Sequence, residues 1–290
     1  MKNYWLQKEN GLTVLFLLIA ALFATPSQAQ VAKGKIIDAR TREAIPYVHI
    51  GIMDKNRGVI SHDKGQFQLD ISGLKADEKV LFSILGYETK QLLVSELQEK
   101  ELVISLQAKT YALQEVVVKP PKIISSKKMG RYQTTKTTTG QSGIKDFGFG
   151  GEWGLKVKYE GQRYQLANVN FHTRFNTVDS VLYRIHLYEV ENGLPGKQLL
   201  QKEIYTTSHR KDKWISADLS DQELLISSDI IVTFEVIRIW FRKKGDNQLF
   251  YTHGKNYPEG QSFSRASSFG QWNVDERGPI ALYITAKILE

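Results

Sequence analysis

The chain of 290 residues contains no cysteine. That excludes disulfides, thiolate zinc sites and a cysteine nucleophile. It also excludes a lipid anchor of the kind that acylates an N-terminal Cys. No βαβ alternation is present, and no Gly-rich phosphate loop follows a strand, so a nucleotide fold and its cofactors are disfavoured. The sequence therefore calls for no cofactor and no metal. Long apolar runs are scarce too. The Leu12–Phe23 stretch falls short of the roughly 20 residues that a bilayer span needs. Lys2 and Lys8 precede it, and the small-x-small site Ser27-Gln28-Ala29 follows it. That order is a secretory signal peptide, with cleavage expected after Ala29 and no stable transmembrane segment after processing.

Excess charge is also missing from most of the chain. The formal net charge is +8. Residues 30–118 carry 12 basic and 12 acidic side chains, and residues 146–290 carry 18 of each. Residues 119–145 hold 7 basic side chains and no acid. Both flanking stretches are neutral, so a surface built for nucleic acid is not expected. The segment 119–145, with Pro120-Pro121 and five threonines, has the composition of a solvated basic linker. It could also touch an anionic envelope component such as lipopolysaccharide or peptidoglycan.

What is present is strand pattern. Asp63-Lys64-Gly65 is turn chemistry, because the acid caps its own backbone and Gly accepts positive φ. Val59 and Ser61 alternate before it, and Phe67, Leu69 and Ile71 after it, which reads as a hairpin with one apolar face. Gly34–Asp38 and Ile45–Ile50 lie upstream. Val80–Ile84, Gly86-Tyr87, Leu102–Leu106 and Leu113–Val118 lie downstream. Together they make about seven short strands, with Ser95–Glu99 a helical turn or a loop.

In that order these pieces resemble the carboxypeptidase regulatory-like domain over roughly Val31–Val118. His62 stands where that family usually has an acidic residue. The resemblance implies a small transthyretin-like β-sandwich, frequent in cell-envelope proteins of Bacteroidetes-type bacteria. It implies a non-catalytic module, despite the name. In large TonB-dependent outer-membrane receptors a similar domain ends in a segment like Leu113–Val118. The residues that follow here are too few for a plug and barrel.

Residues 146–290 alternate again at Leu155–Tyr159, Tyr164–Phe171, Val181–Tyr188 and Trp214–Leu219. Ile230–Val236 is nearly all apolar or β-branched and should be a central strand. Strands at near-regular spacing without helices indicate an antiparallel sandwich of jelly-roll type. From Tyr183 to Phe234 the pattern looks like sandwich modules appended to bacterial surface proteins. The expected fold is all-β: two β-sandwich domains, transthyretin-like over 30–118 and jelly-roll-like over 146–290, after a signal peptide over 1–29.

Chemical signals are sparse. None of the six histidines has His-x-x-x-His spacing. His172 and His186 can approach across neighbouring strands and bind a metal, or be ordinary strand histidines. Ser61-His62-Asp63 spells three triad letters, but successive strand side chains point to opposite faces. Asp275-Glu276 reads as a solvated turn rather than a glycosidase pair. Every tryptophan after Trp5 falls in the second unit: Trp153, Trp214, Trp240 and Trp272. Trp214 and Trp240 sit in strand patterns and read as core. Trp272 follows the polar stretch Ser267–Gln271 and is the candidate ligand-binding ring.

These features predict an exported, non-catalytic cell-envelope protein that acts as an interaction or scaffold module on an envelope protein or glycan. The alternative is a glycan-binding accessory protein in polysaccharide uptake associated with TonB-dependent receptors. An enzyme with its site in the second unit is the reading from a different class.

Overall fold

The structure, a computed structural model, describes residues 30–98, 101–109, 122–141, 150–243, 245–254, 261–275 and 280–290. The expected cleavage site at Ala29 and the Leu113–Val118 segment lie outside them. Among the described residues no helix is long and apolar enough to cross a membrane. Among the described residues two short 3-10 turns, Val94–Leu97 and Ser220–Gln222, interrupt an otherwise all-β arrangement.

The first sandwich has seven strands: β1 (Val31–Asp38), β2 (His49–Gly51), β3 (Gly58–Ile60), β4 (Gln66–Asp70), β5 (Lys79–Ser83), β6 (Lys90–Leu93) and β7 (Leu102–Leu106). They form two sheets, β4-β1-β7 and β3-β2-β5-β6. β4, β5 and β7 turn alternate side chains inward, as the pleat requires. β4 does so in its simplest form, burying Phe67 and Leu69 and exposing Gln66, Gln68 and Asp70. Ile36, Ile50, Val80, Phe82 and Ile104 meet them in one core.

The Asp63-Lys64-Gly65 turn forms, but it does not close a hairpin. β3 and β4 belong to different sheets, so the turn is a corner that carries the chain across the sandwich. Gly65 is required there. Its φ is +73°, and a Cβ would lie 2.5 Å from the Ile36 carbonyl oxygen.

The second unit also has two sheets. Its first is built from β10 (Glu152–Val157), β12 (Ser180–Glu191), β13 (Leu194–Gln198), β14 (Ile204–His209), β17 (Ile230–Trp240), β19 (Ser262–Arg265) and β20 (Asn273–Asp275). Here β17 lies between β12 and β10, the central place its apolar run predicts. The other sheet contains β8 (Ile123–Gly130), β9 (Thr134–Gln141), β11 (Tyr164–Asn176), β15 (Trp214–Asp218), β16 (Leu225–Ile226), β18 (Leu249–Gly254) and β21 (Leu282–Leu289). Between the sheets, Phe171 stacks on Phe234 at 4.2 Å with planes 9° apart. Tyr183 and Tyr251 complete this aromatic centre. Burial pushes the Tyr183 phenol up to about 12.

Two expectations are corrected. Much of 119–145 is not a linker: β8 pairs with β21, and β9 pairs with β18. Both are edge strands of the second sandwich. The exposed side chains of Ile123–Lys128 carry no apolar alternation, which is why the segment reads as a spacer. Lysine on an edge strand also discourages pairing with other chains. The second correction concerns Trp214 and Trp240, which are 38% and 37% exposed and are not core. The pleat directs Ile215 and Ala217 inward, so Trp214 faces out. Trp240 ends β17 beside Arg238, whose guanidinium lies 4.9 Å from its ring centre.

Candidate functional site

The first sandwich docks on the outer face of the sheet that contains β17. That face is unusual in sequence terms. On β12, Val181, Tyr183, Ile185 and Leu187 point into the core, and Arg184 and His186 point out toward the first sandwich. On β17 the outward residues include Thr233 and Glu235, and on β10 they include Glu152.

Strand register sets these groups in one cross-strand row. Tyr205 on β14 stands opposite Arg184 on β12, which stands opposite Glu235 on β17. Glu235 faces Glu152 on β10, and Glu152 faces Arg265 on β19. The signs run plus, minus, minus, plus. Two carboxylates side by side repel, and an arginine at each outer position balances them.

Arg184, Glu235 and Glu152 are fully buried, and Arg265 at the end of the row is partly buried. Arg184 Nε and Nη2 donate to Glu235 Oε2 at 2.9 and 2.8 Å, and its Nη1 donates to the Tyr47 carbonyl of the first sandwich at 2.9 Å. Glu152 accepts from Arg265 Nε at 2.9 Å, from the Thr233 hydroxyl at 2.5 Å and from the Tyr188 hydroxyl. Burial alone would push both carboxyls up. Arg184 beside Glu235, and Arg265 beside Glu152, outweigh it and hold both below the usual carboxylate range. Burial works against the Arg184 charge, but Glu235 and Glu203 outweigh it and raise its pKa.

His49 caps this row from the first sandwich. Its Nε2 lies 3.1 Å from Glu235 Oε2 and against Arg184 Nη2. Its Nε2 faces both a carboxylate oxygen and a guanidinium N–H, so it donates to Glu235 in one tautomer and accepts from Arg184 in the other. Around this contact the seam closes with backbone. Asp54 N donates to the Phe269 carbonyl at 2.9 Å, and Ser268 Oγ donates to the Val59 carbonyl at 3.1 Å. Arg238 pairs with Asp63 at the rim.

His49, His186 and Glu235 bring three possible metal-ligand atoms within 4.8 Å of one another. The surrounding hydrogen bonds do not fit a metal. Gln198 Oε1 accepts from Leu187 N at 2.8 Å, which fixes its amide. Its Nε2 then donates to His186 Nδ1 at 3.0 Å, so His186 carries its proton on Nε2 and gives it to Glu235 at 2.9 Å. The nitrogen that a metal needs is therefore protonated, and the guanidinium of Arg184 already donates twice to Glu235 Oε2, while Glu235 Oε1 has no hydrogen-bond partner among the described residues. His172, the other sequence candidate, lies on β11 in the opposite sheet and shares no partner with His186. Its Nδ1 is 2.7 Å from Thr252 Oγ1.

A cleft of about 450 Å³ opens from the buried row along the seam. Met53, Leu85 and Lys109 line its first-sandwich side, and Gln198, Arg265 and Trp272 line the other. Trp272 is half-buried. The Arg265 guanidinium lies 4.7 Å from the centre of its ring, and Tyr188 meets it edge-on at 6.0 Å. A larger groove of about 640 Å³ runs along β1, β4 and β7. No convergent buried polar group lines that groove, so the seam cleft is the better candidate. Ser61 is not a nucleophile: its Oγ accepts from Val48 N at 2.9 Å inside the first sandwich.

Sequence reasoning missed this row. The signal was there: Glu235 is the one acid in the apolar run Ile230–Val236, and Arg184 and His186 interrupt the otherwise apolar stretch Val181–Tyr188. A charge on the second face of a central strand needs a partner element above it.

The row predicts a pH dependence. Burial pushes the His49 imidazole down; Glu235 pulls it up and Arg184 pushes it further down, with the net below the ordinary value. The open state then binds the proton more tightly. Stability from this site is present above about pH 6.5 and is lost progressively as pH falls below it, by at most about 1.4 kcal/mol per pH unit. Urea unfolding at pH 7.5 and 5.5 measures it. His49→Gln should remove part of the acid loss; an unchanged loss would assign it to other groups.

Comparison with known proteins gives a family for the first sandwich. No curated protein matches the chain. Two solved structures share low identity. The cysteine protease and lectin-like domains of Cwp84, a surface layer associated protein of Clostridium difficile, align at 10% identity and a TM-score of 0.37, covering 80% of this chain. This chain spans 45% of that one. The Bacillus cereus major pilin subunit BcpA aligns at 9% identity and a TM-score of 0.18, covering 84% of this chain and 68% of the pilin. Residues 32–118 match the family model of the CarboxypepD_reg-like domain, the regulatory and non-catalytic module that the motifs of that stretch resemble.

Proposed function

We propose that the chain is an exported, non-catalytic interaction module of the cell envelope, in which the regulatory-like sandwich is a fixed companion of the second one. The observation that carries this reading is the pairing of Glu152 and Glu235. Each is buried and held ionised by its own arginine. A hydrolase that uses two carboxylates needs one of them raised and protonated to act as acid, and here both are lowered. The row locks two sandwiches together and does not fit acid-base work. Export rests on the signal-peptide pattern that ends at Ala29.

The half-buried Trp272 favours a second reading, in which the seam cleft takes a glycan. Arg265 and Trp272 line the cleft together, so a sugar there would meet both the indole and the guanidinium. A glycan array with the full chain tests both readings. Trp272→Ala should weaken binding several-fold and cost under about 1.5 kcal/mol of stability. Release of new reducing ends from a bound glycan would overturn the non-catalytic reading. Unchanged binding by Trp272→Ala would remove the glycan from the cleft.

A further inference from the structure

The outer face of the other sheet carries a second aromatic cluster, away from the seam. Trp214 on β15 meets Tyr283 on β21 at 5.1 Å between ring centres, with planes 70° apart. Tyr132, half exposed, continues the row at 6.3 Å from Tyr283. Two rings at that angle make a floor and a wall. Large rings on the solvent face of a sheet bury nothing in the core, so the fold does not account for them.

A second observation points to a ligand. Asn170 stands directly opposite Tyr283 on one side and Ser216 on the other. It is 7% exposed, and its Nδ2 has no acceptor. Buried amide donors are normally satisfied. A hydroxyl or carboxylate oxygen that reaches between the rings would satisfy this one.

The charge around the cluster gives the class. Lys128 lies 5.0 Å from the Tyr283 ring centre. Arg174 follows His172 on the outward side of β11, and the Lys213 ammonium lies 3.1 Å from the Arg174 carbonyl oxygen. Lys128, Arg174 and Lys213 have no carboxylate partner among the described residues. Burial first, and then the charges of Lys213 and Arg174, hold His172 low, so the local field is positive. Asp218, with Lys287 beside it, lies at the far end of the same face.

We infer that this face binds an acidic polysaccharide. Apolar pyranose faces would rest on Trp214 and Tyr283, a ring or carboxylate oxygen would accept from Asn170, and uronate groups would meet Lys128, Arg174 and Lys213. The site is independent of the seam cleft and of Trp272.

Affinity electrophoresis of the full chain in gels containing alginate, a uronate polymer, or neutral dextran tests the inference. Retardation by alginate and not by dextran is expected, and it should weaken with added salt. Trp214→Ala should raise the dissociation constant about tenfold. Lys128→Gln should weaken binding and flatten its salt dependence, and Trp272→Ala should leave binding unchanged. No retardation by alginate, equal retardation by dextran, or Trp214→Ala binding like wild type would each overturn the inference. Loss with Trp272→Ala alone would move the site to the seam.

Discussion

Arg184→Ala should be among the most damaging single substitutions in the chain, costing about 3–5 kcal/mol of stability. It leaves the Glu235 carboxylate fully buried beside Glu152, with its main counter-charge gone. Removing one partner of a buried ion pair costs far more than the pair is worth, because the remaining charge stays desolvated. For a domain of this size the melting midpoint should fall by on the order of 10 °C. The double variant Arg184→Met/Glu235→Leu should recover much of that loss, since neither charge is then left alone. A cost below about 1 kcal/mol for Arg184→Ala would show that water reaches Glu235, and the seam would not be closed as described.

Gly58→Ala should open the seam without harming either core. Gly58 lies on β3, and an added Cβ would sit 2.1 Å from the Ser268 carbonyl oxygen of the second sandwich. That atom is backbone and cannot step aside cheaply. Gly58 has no positive φ, so the substitution does not strain its own strand. Overpacking of this kind costs about 1–3 kcal/mol. Here it should fall on docking, so one unfolding transition should become two. A variant that melts like wild type would place Ser268 farther from β3 than the structure does.

Much of the fold was legible because a pleat writes its period into the sequence. Gln66–Asp70 alternates in chemistry and in burial alike, and Ile230–Val236 reads as central because it is buried on both faces. Edge strands are harder to read. Ser125–Lys128 exposes its side chains on both faces, so hydrogen bonding to β21 left no apolar trace. The Asp63-Lys64-Gly65 turn was readable as a turn, but local chemistry does not say which sheet each arm joins. Trp214 was misread because alternation gives two faces and not which one is inner; Ile215 and Ala217 decide that.

The site was less legible than the fold. Trp272 does lie in the cleft. The buried row depends on register across five strands and on His49, which is 186 residues from Glu235. No local pattern encodes that distance. What the sequence offered was the anomaly itself, single charges inside strands that had no solvent face.

The claim on which the rest depends is that the two sandwiches form one cooperative unit. It is tested by unfolding the full chain in urea with two probes. Fluorescence of Trp153, Trp214, Trp240 and Trp272 reports the second sandwich, and the first has no tryptophan. Amide hydrogen exchange at Ile50 and Val80 reports the first core. The account predicts coincident transitions, with Ile50 protected to the same free energy as Phe234. Exchange at Ile50 and Val80 that runs ahead of the fluorescence change would show two separate domains and contradict it.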